Sequence, residues 1–254
     1  MKKNLPQNGS LKGLAQSLQC MTDVETLKKE AGIAACKYVR SGMKVGLGTG
    51  STVKHTVVEL GRMIAEDGLE IVGVPTSLAT EKLAIEVGIP LVELSNVDGL
   101  DIVIDGADEY DPHFQLIKGG GAALLREKIV AQESKAMIVV ADDRKRVDAL
   151  GAFPLPIEIT PFAHQATIRS LGRLLNCRVN CRMSGDNAVM TDNGNMIADA
   201  HCGPTISAPE AMEKDILNIA GVVQVGLFNN MCDVVVLAGS NGVETFVNPN
   251  GRIQ

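Results

Sequence analysis

The chain has 254 residues, 45% of them hydrophobic and 21% charged, with a formal net charge of −6 at pH 7. That apolar fraction suits a folded protein with a sizeable core and excludes a disordered one; an acidic balance with 3% aromatic residues and no Trp excludes the basic, stacking surface of a nucleic-acid binder. No stretch approaches the ~20 consecutive apolar residues of a membrane span, and Met1 to Pro6 leads into a polar segment rather than a signal-peptide core, so a cytoplasmic protein without a membrane partner is expected.

Residues 1–21 are polar and aperiodic and are expected to be a mobile extension. Thr22-Asp23-Val24-Glu25 has the form of a capping box, and Val24, Leu27, Ala31, Ala34, Ala35, Tyr38 and Val39 then recur at helical spacing. An apolar strand, Met43 to Leu47, runs into the glycine-rich turn Gly46 to Thr52, after which Val53, Val57, Val58, Leu60 and Ile64 mark a second helix. The alternation continues with a strand over Glu70 to Val74, a turn at Pro75-Thr76-Ser77 and a helix from Leu78 to Val87, stopped by Gly88. Leu91 to Leu94 and Asp101 to Ile104 are strand candidates, a helix covers Ala122 to Gln132, and Ala136 to Val140 is a strand of the buried type.

Apolar strands alternating with helices predict an α/β fold: a Rossmann-like, mostly parallel sheet with helices on both faces. Ligands of such sheets bind beyond the carboxyl ends of the strands, which singles out the loops after Leu47, Val74, Ile104 and Val140.

The pattern changes near Phe153-Pro154-Leu155-Pro156. Ile157, Ile159, Val179, Val189 and Met190 are strand material, Thr191 to Asn195 carries an Asn-Gly hairpin signal, and Ala208 to Asn218 is a helix. The expected organisation is therefore a Rossmann-like domain over 22–153 and 225–254, with a smaller α+β domain inserted at 154–224. The chain is expected to return to the main sheet through Val222 to Phe228 and Val234 to Leu237.

The six cysteines (20, 36, 177, 181, 202, 232) of a long chain without a secretory leader are expected to be reduced thiols. Cys20 follows Leu18-Gln19 but has no apolar run before it, as a lipid-anchored cysteine would need. Cys177-x3-Cys181 with His201-Cys202 fits no common zinc spacing. The four histidines, at 55, 113, 164 and 201, fall in no catalytic pattern.

Three motifs can carry chemistry. Gly48-Thr49-Gly50-Ser51-Thr52 opens a helix with successive backbone N–H groups and hydroxyls, as a phosphate cradle does; a turn of this kind also serves simply to bend the chain. Its spacing is that of neither a dinucleotide fingerprint nor a P-loop. Asp105-Gly106-Ala107-Asp108-Glu109 places three carboxylates in five residues after a strand, which in a cleft raises pKa values or holds magnesium, and on a surface is only an acidic turn. Lys118-Gly119-Gly120-Gly121 exposes backbone donors and a cation at the start of a helix, and Glu127 in that helix can face the same site. Together they describe proton abstraction next to the carbonyl of a small phosphorylated substrate.

At these residues the chain resembles the type A ribose-5-phosphate isomerases. The resemblance runs from about Lys28 to Gly239 and includes Gly48 to Thr52, Asp105 to Glu109, Lys118 to Ala123 with Arg126-Glu127-Lys128, Phe153 to Pro156, Asp192 to Asn195 and Gly221 to Phe228. It implies interconversion of D-ribose 5-phosphate and D-ribulose 5-phosphate through a cis-enediolate, with no metal and no organic cofactor. By this resemblance Glu127 is the base between C2 and C1, Asp105 and Asp108 assist ring opening and oxygen-to-oxygen proton movement, and Lys118 with Gly119, Gly120 and Gly121 steadies the enediolate. Thr49, Gly50, Ser51 and Thr52 form the substrate loop, with Gly106 and Ala107 beside it, and Lys28 and Lys145 line the site. It further implies a homo-oligomer, a dimer or a tetramer. Two other classes share parts of the pattern: a non-catalytic sugar-phosphate sensor, for which the chain lacks a helix-turn-helix segment, and a coenzyme-A transferase with a Glu nucleophile.

Overall fold

Alternation within the buried strands sets the architecture. The computed structural model describes residues 24–253; the 1–21 extension, Cys20 and the Thr22-Asp23 half of the capping box lie outside them. Helix α1 spans 24–35. Strands β1 (Lys44–Leu47), β2 (Val72–Pro75), β3 (Ile102–Gly106) and β6 (Met137–Asp142) alternate with helices α2 (Val53–Asp67), α3 (Leu78–Glu86) and α4 (Leu124–Gln132), with two short strands, β4 (Glu109–Tyr110) and β5 (Leu116–Ile117), between β3 and α4. After them, β14 (Val234–Gly239) and β15 (Gly242–Val247) complete a six-stranded sheet of order β15-β14-β6-β3-β1-β2. All neighbours in it are parallel except β14 and β15.

Within β3, β6 and β14, Ile102, Ile104, Ile138, Val140, Val234 and Val236 join one core with α1, α2 and Ala84 of α3. Their sequence neighbours Val103, Met137, Val139, Val235 and Leu237 join a second core with α4. A period of two thus feeds both faces, as a doubly covered parallel sheet requires. Each fully buried aliphatic side chain contributes roughly 1.5–3 kcal/mol. The chain order reverses at β1, which has β2 on one side and β3 on the other. The crevice between the carboxyl ends of β1 and β3 is the place where such folds bind ligands.

A second, antiparallel sheet has the order β12-β7-β11-β8, formed by β7 (Leu155–Ile159), β8 (Val179–Cys181), β11 (Met196–Ala200) and β12 (Val222–Val225). It packs against α5 (His164–Leu175) and α6 (Pro209–Leu217) around a third core that includes Ile157, Ile168, Leu171 and Ile216. The hairpin β9 (Met183–Ser184) and β10 (Asn187–Ala188) extends from β8.

Four sequence expectations differ from the structure. Leu91 to Leu94 is no strand: Leu91 makes an isolated bridge to Gly73, and a 3-10 turn begins at Leu94, because Pro90 offers only its carbonyl (to Gly73 N–H, 2.8 Å) before the chain turns. Val222 to Phe228 does not rejoin the main sheet. Strand β12 pairs with β7, and β13 (Leu227–Phe228) pairs with β5 in a three-stranded sheet, so the chain re-enters the main sheet only at Val234. Val189 and Met190 are not in a strand, although Met190 bridges Met196 across the Asn-Gly turn. Strand β15, whose residues are mostly exposed, carried no apolar signal. Among the described residues no helix is long and apolar enough to cross a membrane.

Candidate active site

The β1–α2 and β3–β4 connections meet because glycine lets them. A Cβ on Gly48 would overlap the carboxylate of Asp105. Asp105 is fully buried, and its Oδ1 accepts from the N–H groups of Thr49 (3.0 Å) and Gly106 (2.7 Å). The carboxylate at the end of β3 therefore fixes the start of the Gly48 to Thr52 turn. Thr49 turns its hydroxyl away into a cluster with Thr76 (2.7 Å) and Ser77 (2.8 Å).

Lys118, at the exit of β5, is 2% exposed and lies between two buried carboxylates. Its Nζ is 2.9 Å from Asp105 Oδ2 and 3.3 Å from Glu127 Oε2, and it donates to the Gly106 carbonyl at 2.6 Å. Lys118 N–H donates to the Gly226 carbonyl at 2.8 Å, which anchors the strand exit. Beyond Lys118 the chain enters left-handed backbone at Gly119 (φ 108°), where a side chain would also collide with Leu124, and again at Ala122 (φ 58°), just before α4 carries Glu127 back into the site. Gly120 N–H donates to Asp108 Oδ2 at 2.7 Å.

Burial governs the electrostatics. It pushes the Glu127 carboxyl up to about 8; Lys118 opposes the shift, and the Asp105 and Asp108 charges add to it. Burial likewise raises Asp105 against the pull of Lys118 and its backbone donors. For Lys118 burial acts downward, but Asp105 and Glu127 outweigh it and hold the ammonium above its usual value. One cation thus faces two carboxylates, one of which can carry a proton near neutrality. Apart from the Lys118 ion pair at 3.3 Å, Glu127 Oε2 has no hydrogen-bond partner among the described residues.

These groups border a cavity of about 150 Å³. It is lined by Thr49, Gly50, Ser51 and Thr52 from the β1–α2 turn and by Gly106, Ala107 and Asp108 from the β3–β4 connection. Lys118, Gly119, Gly120, Gly121 and Glu127 form its floor and rim, and Lys28 and Lys145 complete it. Asp105 does not line the cavity and sits behind Lys118; Gly48 and Glu109 of the same motifs do not line it either. Lys28 pairs with Glu25 at 2.6 Å. The acidic motif does not converge on one point: Asp108 faces Gly120, while Glu109 turns away and accepts from Gly151 (2.8 Å) and Phe153 (2.5 Å) N–H groups. The magnesium reading of three convergent carboxylates therefore loses its geometry.

Sequence reasoning missed Arg144, which lines the same cavity and forks onto Asp142. It also missed Arg182 and Lys128, which reach from or into the second sheet. Arg144 could have been found as the neighbour of Lys145, whereas Arg182 lies on a segment with no local signal.

A buried proton-carrying carboxyl, a paired lysine and a small polar cavity at a switch point belong to the class of α/β acid–base enzymes. Comparison with known proteins makes the class specific. The family described as Ribose 5-phosphate isomerase A (phosphoriboisomerase A) matches residues 72–242. The ribose-5-phosphate isomerase A of Rhodopseudomonas palustris is 50% identical over 229 residues, 88% of this chain and 98% of the relative. Two solved structures superpose closely. One is a D-ribose-5-phosphate isomerase in complex with phospho-erythronic acid (TM-score 0.84, 41% identity, 88% of this chain and 99% of that one). The other is the ribose 5-phosphate isomerase of Plasmodium falciparum (TM-score 0.86, 36% identity, 89% and 99%). The chain belongs to the ribose 5-phosphate isomerase A family, aldose–ketose isomerases of the pentose phosphate pathway.

Proposed function

We propose that this isomerase moves a proton between C2 and C1 of the open-chain pentose phosphate with Glu127 as the base, through a cis-enediolate. The observation that carries this reading is the state of Glu127: a buried carboxyl, raised to about 8, paired with Lys118 at 3.3 Å and bordering the cavity. Such a group abstracts a proton when ionised and returns it at the neighbouring carbon. Lys118 and the loop Gly119 to Gly121, whose Gly120 N–H is held by Asp108, border the cavity where negative charge would develop on the enediolate oxygen.

Asp108 faces the cavity and moves protons among the substrate oxygens during ring opening. Asp105, behind Lys118, keeps that lysine charged and aimed. The amino end of α2 at Gly50, Ser51 and Thr52, with Lys28 and Lys145, holds the phosphate. Thr49 contributes by shaping the turn, its N–H being held by Asp105 and its hydroxyl committed to Thr76 and Ser77.

Because Lys118 already balances the carboxylates, the reaction runs without a metal ion. Ribose 5-phosphate supplied alone in EDTA should be converted to the ketose, and in D2O the C1 position of the product should take up deuterium. Loss of turnover on chelation, or transfer without any solvent deuterium in the product, would overturn this reading. Phospho-erythronic acid, whose carboxylate has the planarity of the enediolate, should bind more tightly than substrate.

We also infer a cytoplasmic homo-oligomer, a dimer or a tetramer. The free thiols suit a reducing compartment, and Phe162, Met183 and Met190 are exposed apolar residues of the smaller α+β unit. Sedimentation at micromolar concentration tests the assembly; a monomer there contradicts it.

A further inference from the structure

Arg182 follows β8 and has its backbone held on both sides. Its N–H donates to the Ile197 carbonyl (2.8 Å), and its carbonyl accepts from Val189 (2.9 Å). Its guanidinium is divided between two tasks. Nε and Nη2 grip Asp199 of β11 (2.8 and 2.5 Å), and Nη1 donates to the carbonyls of Gly119 (2.8 Å) and Gly120 (2.9 Å).

We propose that Arg182 is a positioning residue for the isomerisation: reaching from the second sheet, it holds two successive carbonyls of the glycine loop and thereby keeps the Gly120 N–H on Asp108 and aims the Gly121 N–H at the reacting oxygen. In a trans peptide the C=O and the following N–H point in opposite directions. The Gly119–Gly120 peptide has its carbonyl on Arg182 and its N–H on Asp108 Oδ2 (2.7 Å), so Asp108 and the cavity it lines lie on the side away from Arg182. The Gly120–Gly121 peptide has its carbonyl on the same Nη1, so the Gly121 N–H is directed to that same side, and Gly121 borders the cavity.

Glycine at 119–121 gives this segment the freedom to adopt other orientations. Arg182, locked by the two-point grip of Asp199, removes that freedom before substrate arrives. Preorganised donors stabilise developing charge with no reorganisation at the moment of reaction. Because Asp199 balances the guanidinium, Arg182 acts through geometry and not through its net charge. The inference rests on the reading of Gly119–Gly121 as the enediolate-binding loop.

The test compares Arg182→Ala, Asp199→Asn and Glu127→Gln with the unaltered enzyme. Arg182→Ala should lower kcat about 10²-fold, the value of one aimed oxyanion donor, while KM for ribose 5-phosphate stays within about threefold, since only a transition-state contact is lost. Inhibition by phospho-erythronic acid should weaken in step with kcat/KM, and added guanidinium should restore part of kcat in this variant and none in the unaltered enzyme. Asp199→Asn keeps both the volume and the arginine. It should lower kcat in the same direction, whereas an effect of charge alone predicts kcat unchanged or raised.

Wild-type kcat in both Arg182→Ala and Asp199→Asn, or a loss that guanidinium does not relieve and that is matched by an equal rise in KM, would overturn the proposal. If those variants keep full turnover while Glu127→Gln is inactive, the positioning role falls and the base assignment stands. Turnover surviving in Glu127→Gln removes the site reading on which the proposal rests.

Discussion

As the proposed base, Glu127 acts only when ionised, and burial raises its carboxyl to about 8. We therefore expect kcat/KM to rise roughly tenfold per pH unit below that value and to level off above it. A profile already flat at pH 6 would contradict the shift. The same shift governs stability: the folded state holds a proton that an unfolded glutamate, with a pKa near ~4.3, releases. Its contribution is complete below the unfolded value and is lost as pH rises through about 8, so the melting temperature of Glu127→Gln should gain on that of the unaltered enzyme between pH 5 and pH 9. Lys118 is the counterpart. Lys118→Met leaves Asp105 and Glu127 buried without a cation, at a cost of about 3–5 kcal/mol by denaturant unfolding. Asp105→Asn in the same chain should recover part of that loss, because the two residues share one interaction. The residue types of this site could be recognised in the sequence through their motifs. That Asp105 lies behind Lys118 could not, since the two residues leave strands of different sheets, β3 and β5, and only the packing of those sheets sets the depth of each.

The turn between β1 and α2 depends on Gly48 in a way its spacing does not reveal. Asp105 cannot move aside for a methyl group, being held by Thr49 and Gly106 N–H groups. Gly48→Ala should destabilise by about 1–3 kcal/mol, as overpacking does, and should lower kcat as well; unchanged thermal unfolding would show that the loop has room to shift. The parallel strands and their helices were legible because continuous apolar runs and 3.6-residue periods are strong signals. Elements whose stability comes from partners were not. Strands β4 and β5 are two residues each and exist through pairing with one another and with β13. The Thr191 to Asn195 turn was visible as Asn-Gly, but its anchor, Glu158 Oε1, which accepts from Thr191 Oγ1 (2.9 Å) and Asn195 Nδ2 (2.8 Å), lies 33 residues away from Thr191.

The two larger sheets are joined at α4. Lys128, next to Glu127, is buried and donates to Glu213 (2.5 Å), Gln224 (2.9 Å) and the carbonyls of Val225 (2.8 Å) and Leu227 (2.7 Å). Arg126 donates to Asn193 (2.9 Å) on the same helix's other side. Because one helix carries the site and both attachments, we expect a single calorimetric unfolding transition. Lys128→Met should cost about 3–5 kcal/mol by stranding Glu213 and the carbonyls; two resolved transitions in the unaltered protein would contradict the coupling. The change of pattern near residue 154 coincides with the start of β7 and its antiparallel sheet, but the sequence returned the chain to the main sheet too early, since the apolar alternation of Val222 to Phe228 suits any sheet equally well. In the proposed mechanism Glu127 carries the proton. The direct measurement is steady-state conversion of ribose 5-phosphate by Glu127→Gln, with thermal unfolding recorded beside it. The account predicts a folded protein with kcat lowered about 10²–10⁴-fold and KM little changed; a folded variant with near-wild-type kcat would contradict it.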